Sequence, residues 1–414
     1  MTEQFDVAII GAGPSGSSAA ALLHKKGWRV CVLEKQHFPR FVIGESLLPH
    51  CMEILDEAGF LPAVEREPSF QFKNGAAFTW GSRYTYFDFT DKFSPGPGTT
   101  YQVRRGIFDK ILIDEAEKQG VTVRYGHTVT AFDNSGDEAI LSVEQENGEP
   151  YQLQAKFVLD ASGYGRLLPR LLDLELPSHL PVREAHFTHI DDNITDPSFE
   201  REKILISTHS TYRDVWIWLI PFADNRTSLG VVGLPERFAG IGDSETILKK
   251  FVSEVPMLKR ILKDTVWDNE VPYRNIRGYS ANVKTLIGKH FALLGNASEF
   301  LDPVFSSGVT IALHSAKLAA DVLDKQLSGN AVDWQIEFAD PLMIGVNAFR
   351  TYVNGWYDGG FQDAIFFDGR TPEISRMISS ILAGYAWDTT NPFVEKSERR
   401  LKALAETVGH LEYC

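Results

Sequence analysis

Gly11, Gly13 and Gly16 stand at the spacing G-x-G-x-x-G within Gly11-Ala12-Gly13-Pro14-Ser15-Gly16, and an acid, Glu34, closes the next apolar run. These residue types are what a grip on a dinucleotide needs. Gly11 permits a tight turn, Gly13 lets backbone N–H groups approach a pyrophosphate, and Gly16 lets a helix pack closely on a strand. The start of that helix adds the positive end of its dipole, and Glu34 can accept a hydrogen bond from a ribose hydroxyl. The sequence holds no second copy of the motif, which disfavours a reductase with separate flavin and pyridine-nucleotide folds.

The elements that must position these residues follow from periodicity. Phe5-Asp6-Val7-Ala8-Ile9-Ile10 is a short apolar run, as expected of a parallel strand covered on both faces. Pro14 suits the first turn of the following helix and Gly27 its stop; Arg29–Glu34 reads as the second strand. Alternating aromatics at 76–93, and alternation again at 184–235, predict an antiparallel sheet, with Pro95-Gly96-Pro97-Gly98 as a returning loop. Val309–Leu327 reads as a helix, and 331–414 as mostly helical with breaks at Pro372 and Pro392. The aromatics at 78–93 and 349–367 suit either a substrate pocket or core packing.

Composition narrows the class. The 414 residues are 43% apolar and 23% charged, a soluble globular balance with room for two or three domains. A net charge of −14 without a dense Lys/Arg run opposes nucleic acid and anionic membrane surfaces. There is no stretch of about 18 apolar residues to span a membrane. Glu3 and Asp6 do not fit a signal peptide, and Cys31, Cys51 and Cys414 fall at unrelated spacings. The expectation is a reduced, cytoplasmic protein without a metal site. His186 and His189, three apart in a strand pattern, point to opposite faces and do not make a metal pair.

Further segments follow in order: Phe38-Pro39-Arg40, Gly44-Glu45-Ser46-Leu47-Leu48-Pro49, Tyr101–Leu112 with Arg104, Val158-Leu159-Asp160-Ala161-Ser162-Gly163, and Phe291–Ala297 with Asn296. Together with the glycine motif they resemble flavoproteins of the p-hydroxybenzoate hydroxylase superfamily. The Gly-Glu-Ser version is shared by flavin-dependent halogenases and geranylgeranyl-reductase-like enzymes. Trp216-Ile217-Trp218-Leu219-Ile220-Pro221 gives W-x-W-x-I-P, and Phe300–Gly308 gives F-x-x-P-x-x-S-x-G. With both, the sequence resembles the flavin-dependent halogenases from residue 5 to about 330.

The resemblance implies an α/β fold in three parts. A Rossmann-type FAD-binding domain, discontinuous over 1–75, 101–180 and 280–330, would join an antiparallel substrate-binding sheet over 76–100 and 181–279 and a helical region over 331–414. FAD would be held by Gly11, Gly13, Pro14, Ser15, Gly16, Glu34, Lys35, Arg40, Glu45, Ser46, Arg104, Asp160, Asn296, Pro303 and Gly308. Most members carry Asp where this chain has Asn296, but Asn can still hydrogen-bond a ribityl hydroxyl.

In such enzymes a separate flavin reductase supplies reduced FAD, which with O₂ and halide yields hypohalous acid. A lysine then holds or traps that acid and aims it at an electron-rich aromatic. Lys73, within Phe70-Gln71-Phe72-Lys73-Asn74-Gly75-Ala76-Ala77-Phe78-Thr79-Trp80, matches that lysine. Ser307 and Gly308 would flank the halide, and Trp216 and Trp218 would form a barrier beside the flavin. Alternating aromatics also suit plain packing of a buried strand. Phe305 stands where tryptophan halogenases carry Glu, so the implied substrate is a phenol or pyrrole, free or on a carrier protein, and not free tryptophan. The alternatives are a monooxygenase or a geranylgeranyl-reductase-like dehydrogenase on the same fold, and a non-catalytic flavin-binding protein.

Overall fold

Val7, Ala8 and Ile9 are fully buried on the strand Glu3–Ile10, in the middle of a mostly parallel sheet. In the computed structural model, which describes residues 3–409, its neighbours are Val30–Glu34 and Tyr151–Asp160. Thr122–Tyr125 and Phe291–Leu293 extend the sheet on either side, also in parallel. Parallel pairing brings the carboxyl ends of these strands to one edge, so Ile10, Glu34, Asp160 and Leu293 finish side by side. That edge is where open α/β sheets bind ligands. The helix Pro14–Lys25 leaves it directly and packs along a second helix, Ser307–Leu327.

The second sheet has seven strands, in the order Arg274–Arg277, Glu184–Asp191, Arg226–Gly233, Trp216–Pro221, Lys203–Thr208, Gly75–Trp80, Arg83–Asp88. It is antiparallel, as the alternation predicts, except that Lys203–Thr208 and Gly75–Trp80 run parallel. The physical reason is connectivity. The chain leaves this sheet after Arg83–Asp88, builds more of the first sheet, and returns, so no hairpin fixes the relative direction of the two strands.

Helices Asp340–Tyr357, Gly360–Phe366, Pro372–Leu382, Pro392–Glu395 and Ser397–Val408 build the C-terminal region. Pro372 and Pro392 each open a helix, where a missing N–H costs nothing. Phe349, Tyr352, Trp356, Phe361 and Phe366 are buried, and Trp356 meets Phe78 of the seven-stranded sheet at 5.9 Å between ring centres. These aromatics are core. Cys31 and Cys51 are buried free thiols, and Cys414 lies outside the described residues. Among the described residues, no helix is long and apolar enough to cross a membrane and no group of three His, Cys, Asp or Glu could hold a metal ion.

Candidate active site

The glycine turn is shaped by what a side chain would strike. Gly11 has φ +99°, and a Cβ there would lie 2.6 Å from the carbonyl oxygen of Ala161. At Gly16 a Cβ would lie 1.9 Å from the Gly11 carbonyl oxygen, so helix and strand close up only without it. Gly13 is different. A Cβ there would meet only Arg40 Nη2, at 3.7 Å, because the residue faces a cleft of about 510 Å³. The helix Pro14–Lys25 has no side-chain cap, which leaves its first amides for a ligand. Glu34 Oε2 accepts from the Ala12 amide at 2.9 Å, so this carboxylate braces the turn as well as lining the cleft.

Charged groups ring the same cleft. Arg40 lines it, with Nη1 3.3 Å from the buried Asp109 and its Nε without a partner. Arg105 also lines it, donating to Asp109 Oδ1 at 2.8 Å and to the carbonyls of Ile43 and Gly44. Arg104, one residue earlier, turns away to Asp224 and the Phe222 ring. Arg104 is extended and Arg105 begins the helix Arg105–Lys118, and that change of conformation decides which guanidinium faces the cleft. Asp160 does not line it. It is fully buried, accepts from the amides of Ser162 (2.9 Å) and Leu168 (2.7 Å), and so fixes the cleft-lining turn Ala161–Gly165. Burial pushes its pKa up.

On the far wall are Asn296, Pro303, Ser306 and Gly308. Ser306, at φ +56°, starts the helix Ser307–Leu327 without a side-chain cap, while Ser307 itself is buried behind the wall. Asp302 Oδ1 accepts from the Val304 amide at 3.0 Å and shapes the turn. Trp216 and Trp218 both line the cleft, 5.9 Å apart. Trp216 Nε1 donates to Tyr357 Oη (2.8 Å) and Trp218 Nε1 to Ser228 Oγ (3.1 Å). Trp218 lies flat on Gly230, where a Cβ would come within 2.2 Å of its ring.

Lys73 ends the strand Gln71–Lys73 and is fully buried. Its Nζ donates to Ser46 Oγ at 2.8 Å and to the Leu47 carbonyl at 2.7 Å, and sits 5.4 Å from the centre of the Phe89 ring. Burial pulls its pKa down to about 7. Ser46 is part of the cleft wall, so the amine stands one hydroxyl behind it.

The FAD binding domain family matches residues 4–337. A tryptophan 2-halogenase from Chondromyces crocatus is 32% identical over 78% of this chain, which spans 62% of that relative's length. A 1H-pyrrole-2-carbonyl-[peptidyl-carrier protein] chlorinase from Pseudomonas fluorescens is 29% identical over 79% of this chain and 77% of its own. A solved flavoprotein/dehydrogenase from Cytophaga hutchinsonii superposes with a TM-score of 0.93 at 44% identity, over 98% of this chain and 99% of that one. The chain belongs to the FAD binding domain family, and the curated relatives it resembles are halogenases. FAD is its cofactor.

The walls fit the cofactor on their own terms. Glu45 Oε2 and Arg40 Nε are buried and unpartnered, and two uncapped helix starts face the space between them. Of the residues the sequence points to, Gly11, Gly13, Pro14, Ser15, Glu34, Lys35, Arg40, Glu45, Ser46, Asn296, Pro303, Gly308, Trp216 and Trp218 line this one cleft. Gly16, Lys73, Arg104, Asp160 and Ser307 stand outside its lining. Sequence reasoning missed Arg105, Tyr164, Phe187 and Tyr279. For Arg105 the signal was adjacency to Arg104; the others carry none that is local.

Two outcomes follow from this geometry. Gly13→Val should leave the apoprotein's melting temperature nearly unchanged and abolish FAD retention, whereas Gly16→Val should fail to fold, because its Cβ meets backbone. A Gly13→Val protein purified with full FAD occupancy would place the pyrophosphate elsewhere. For Lys73, with a folded pKa of about 7 against an ordinary 10.5, the unfolded chain binds a proton between those values that the folded chain lacks. Stability should therefore rise with pH through that window. Lys73→Met removes that rise, so the melting temperature of the variant minus that of wild type should be largest near pH 7 and shrink toward pH 10. A difference constant over that range would refute the lowered pKa.

Proposed function

We propose that the protein uses reduced FAD, O₂ and halide to halogenate an electron-rich aromatic, a phenol or pyrrole, free or presented on a carrier protein. The observation that carries this reading is a fully buried amine, Lys73, with its pKa near 7 and its hydrogen bond on the cleft residue Ser46. Such an amine is divided at neutral pH between an ammonium that can donate to hypohalous acid and a free base that can take the halogen from it. Bound reduced FAD supplies, with O₂, the oxidising equivalents that turn halide into hypohalous acid. On this reading Gly11–Gly16 receives the pyrophosphate, Glu34 and Lys35 the adenosine side, and Arg40, Glu45, Ser46, Asn296, Pro303 and Gly308 the rest of the cofactor. Asp160 acts by bracing the turn it caps. The uncapped start of the helix at Ser307 and Gly308 suits a halide, and Trp216 with Trp218 closes the wall next to it.

The parallel sheet with 1–75, 101–180 and 280–330 is then the FAD-binding unit, and 76–100 with 181–279 the substrate-binding unit. The carrier-acting chlorinase among the relatives supports carrier presentation. Phe305, buried against Trp356 and Phe361, puts a ring and no carboxylate at position 305, which favours phenol or pyrrole over free tryptophan. The single glycine motif supports a separate flavin reductase as the source of reduced cofactor, and the free thiols of Cys31 and Cys51 support a reducing cytoplasm. The 44% identical structure described as a flavoprotein/dehydrogenase favours a second reading, redox chemistry on the substrate without halide.

The test supplies a flavin reductase, O₂ and bromide and follows phenols and a pyrrolyl-carbonyl carrier protein by mass. Wild type should give brominated product. Lys73→Ala should bind FAD and consume O₂ from reduced flavin near the wild-type rate, yet yield almost no brominated product. Lys73→Arg should fail as well, since guanidinium stays protonated. Bromination by Lys73→Ala at the wild-type rate would remove Lys73 from the mechanism. Hydroxylated or desaturated product without bromide dependence would establish the second reading.

A further inference from the structure

Glu45 is 1% exposed and half satisfied. Its Oε1 accepts from His189 Nε2 at 2.7 Å, while its Oε2 is buried with no partner. A buried carboxylate oxygen without a donor is uncommon, because such an oxygen forfeits its hydration without replacement. Glu45 lines the cleft, and its own carbonyl is tied to the Val103 amide at 2.7 Å, so the side chain starts from a fixed base.

His189 comes from the other sheet. It lies on Glu184–Asp191, the strand that also supplies Ala185 and Phe187 to the cleft. With a period of two, residues 185, 187 and 189 share that face, and His186 falls on the opposite one, where it meets Ser244 and Phe238. The His189 ring is edge-on to Phe222, 5.3 Å between centres, and 6.0 Å from Phe41. Among the described residues its ring makes no other hydrogen bond, so the bond to Glu45 is the ring's hydrogen-bonding role in the fold.

We propose that Glu45 Oε2 accepts a hydrogen bond from an N–H or O–H donor of bound FAD, and that His189 is the positioning residue that aims it. The inference rests on FAD occupying the cleft and not on halogenation. It makes the cofactor site a joint property of both sheets.

The test is the affinity of the apoprotein for FAD, read from quenching of flavin fluorescence, with the melting temperature of each apoprotein as a control on folding. In Glu45→Gln the amide oxygen stays on His189 Nε2–H, so an NH2 donor replaces the acceptor Oε2 and should weaken FAD about tenfold. His189→Phe should weaken it by about the same factor, whereas His189→Gln, whose amide N–H can stand where Nε2–H stood, should stay within about twofold of wild type. Because His189 acts through Glu45, the double variant Glu45→Gln, His189→Phe should bind no worse than Glu45→Gln alone. Should His189→Phe not fold, His189→Asn, too short to reach Glu45, should show the same tenfold loss. Unchanged FAD affinity in Glu45→Gln overturns the acceptor role. Equal weakening by His189→Phe in both backgrounds, or failure of His189→Gln to rescue, overturns the positioning role. A wild-type apoprotein that takes up no FAD overturns the cofactor assignment itself and this inference with it.

Discussion

A buried ammonium must find acceptors, and Lys73 finds them on the segment that forms the cleft wall, at Ser46 Oγ and the Leu47 carbonyl. Other bonds tether the same few residues. Arg105 donates to the carbonyls of Ile43 and Gly44, the Val103 amide to that of Glu45, and the Leu47 amide to the Tyr101 carbonyl. His189 holds the Glu45 side chain. The segment from Ile43 to Leu47 is thus pinned from the helix Arg105–Lys118, from the ribbon Gln71–Lys73 with Thr100–Gln102, and from the seven-stranded sheet. Its rigidity is what lets a cofactor cleft and an amine with a lowered pKa share one wall.

A second chain of contacts ties the C-terminal helices to the cleft. Tyr357, at the end of Asp340–Tyr357, donates to Asp302 Oδ2 at 2.9 Å and accepts from Trp216 Nε1. Asp302 in turn shapes the turn before the helix Ser307–Leu327. Burial pushes the Asp302 carboxyl up, and Arg183, stacked on the Tyr357 ring, works against that rise. The helical region therefore does more than cover the second sheet. It fixes the angle of one cleft tryptophan and the shape of the turn opposite the glycine motif.

What was legible in the sequence was what is local. The Gly11–Gly16 turn, its flanking strands and its helix are written in about thirty consecutive residues, and each part constrains the next. The helix read over Val309–Leu327 was legible for the same reason, although it starts two residues earlier, at Ser307. Lys73 was identifiable as a residue by resemblance, yet its complete burial was not, because the shell around it comes from Ser46, Leu47 and Phe89, brought together only by the fold. The choice of Arg105 over Arg104 depends on one residue of helix phase. The parallel pairing of Lys203–Thr208 with Gly75–Trp80 depends on where the chain has been in between. His189 could be assigned to a strand face, but its partner is 144 residues away in sequence. Register between two sheets is a tertiary property that no window of sequence contains.

The two tryptophans show why packing and function need not compete as explanations. Trp216 and Trp218 alternate with Ile217 and Leu219, which face a second buried cluster on the other side of the sheet. As core residues they must be large and apolar, and Gly230 is small so that Trp218 can lie flat on it. Yet their face of the sheet is also a wall of the cleft, so the same bulk that fills the core shapes the space beside it. Their indole N–H groups are both satisfied inside the protein, by Tyr357 and Ser228, and so the rings offer the cleft their apolar faces. Behind the same cleft, one hydroxyl away, stands the buried amine of Lys73, so the apolar wall and the amine are two features of one site.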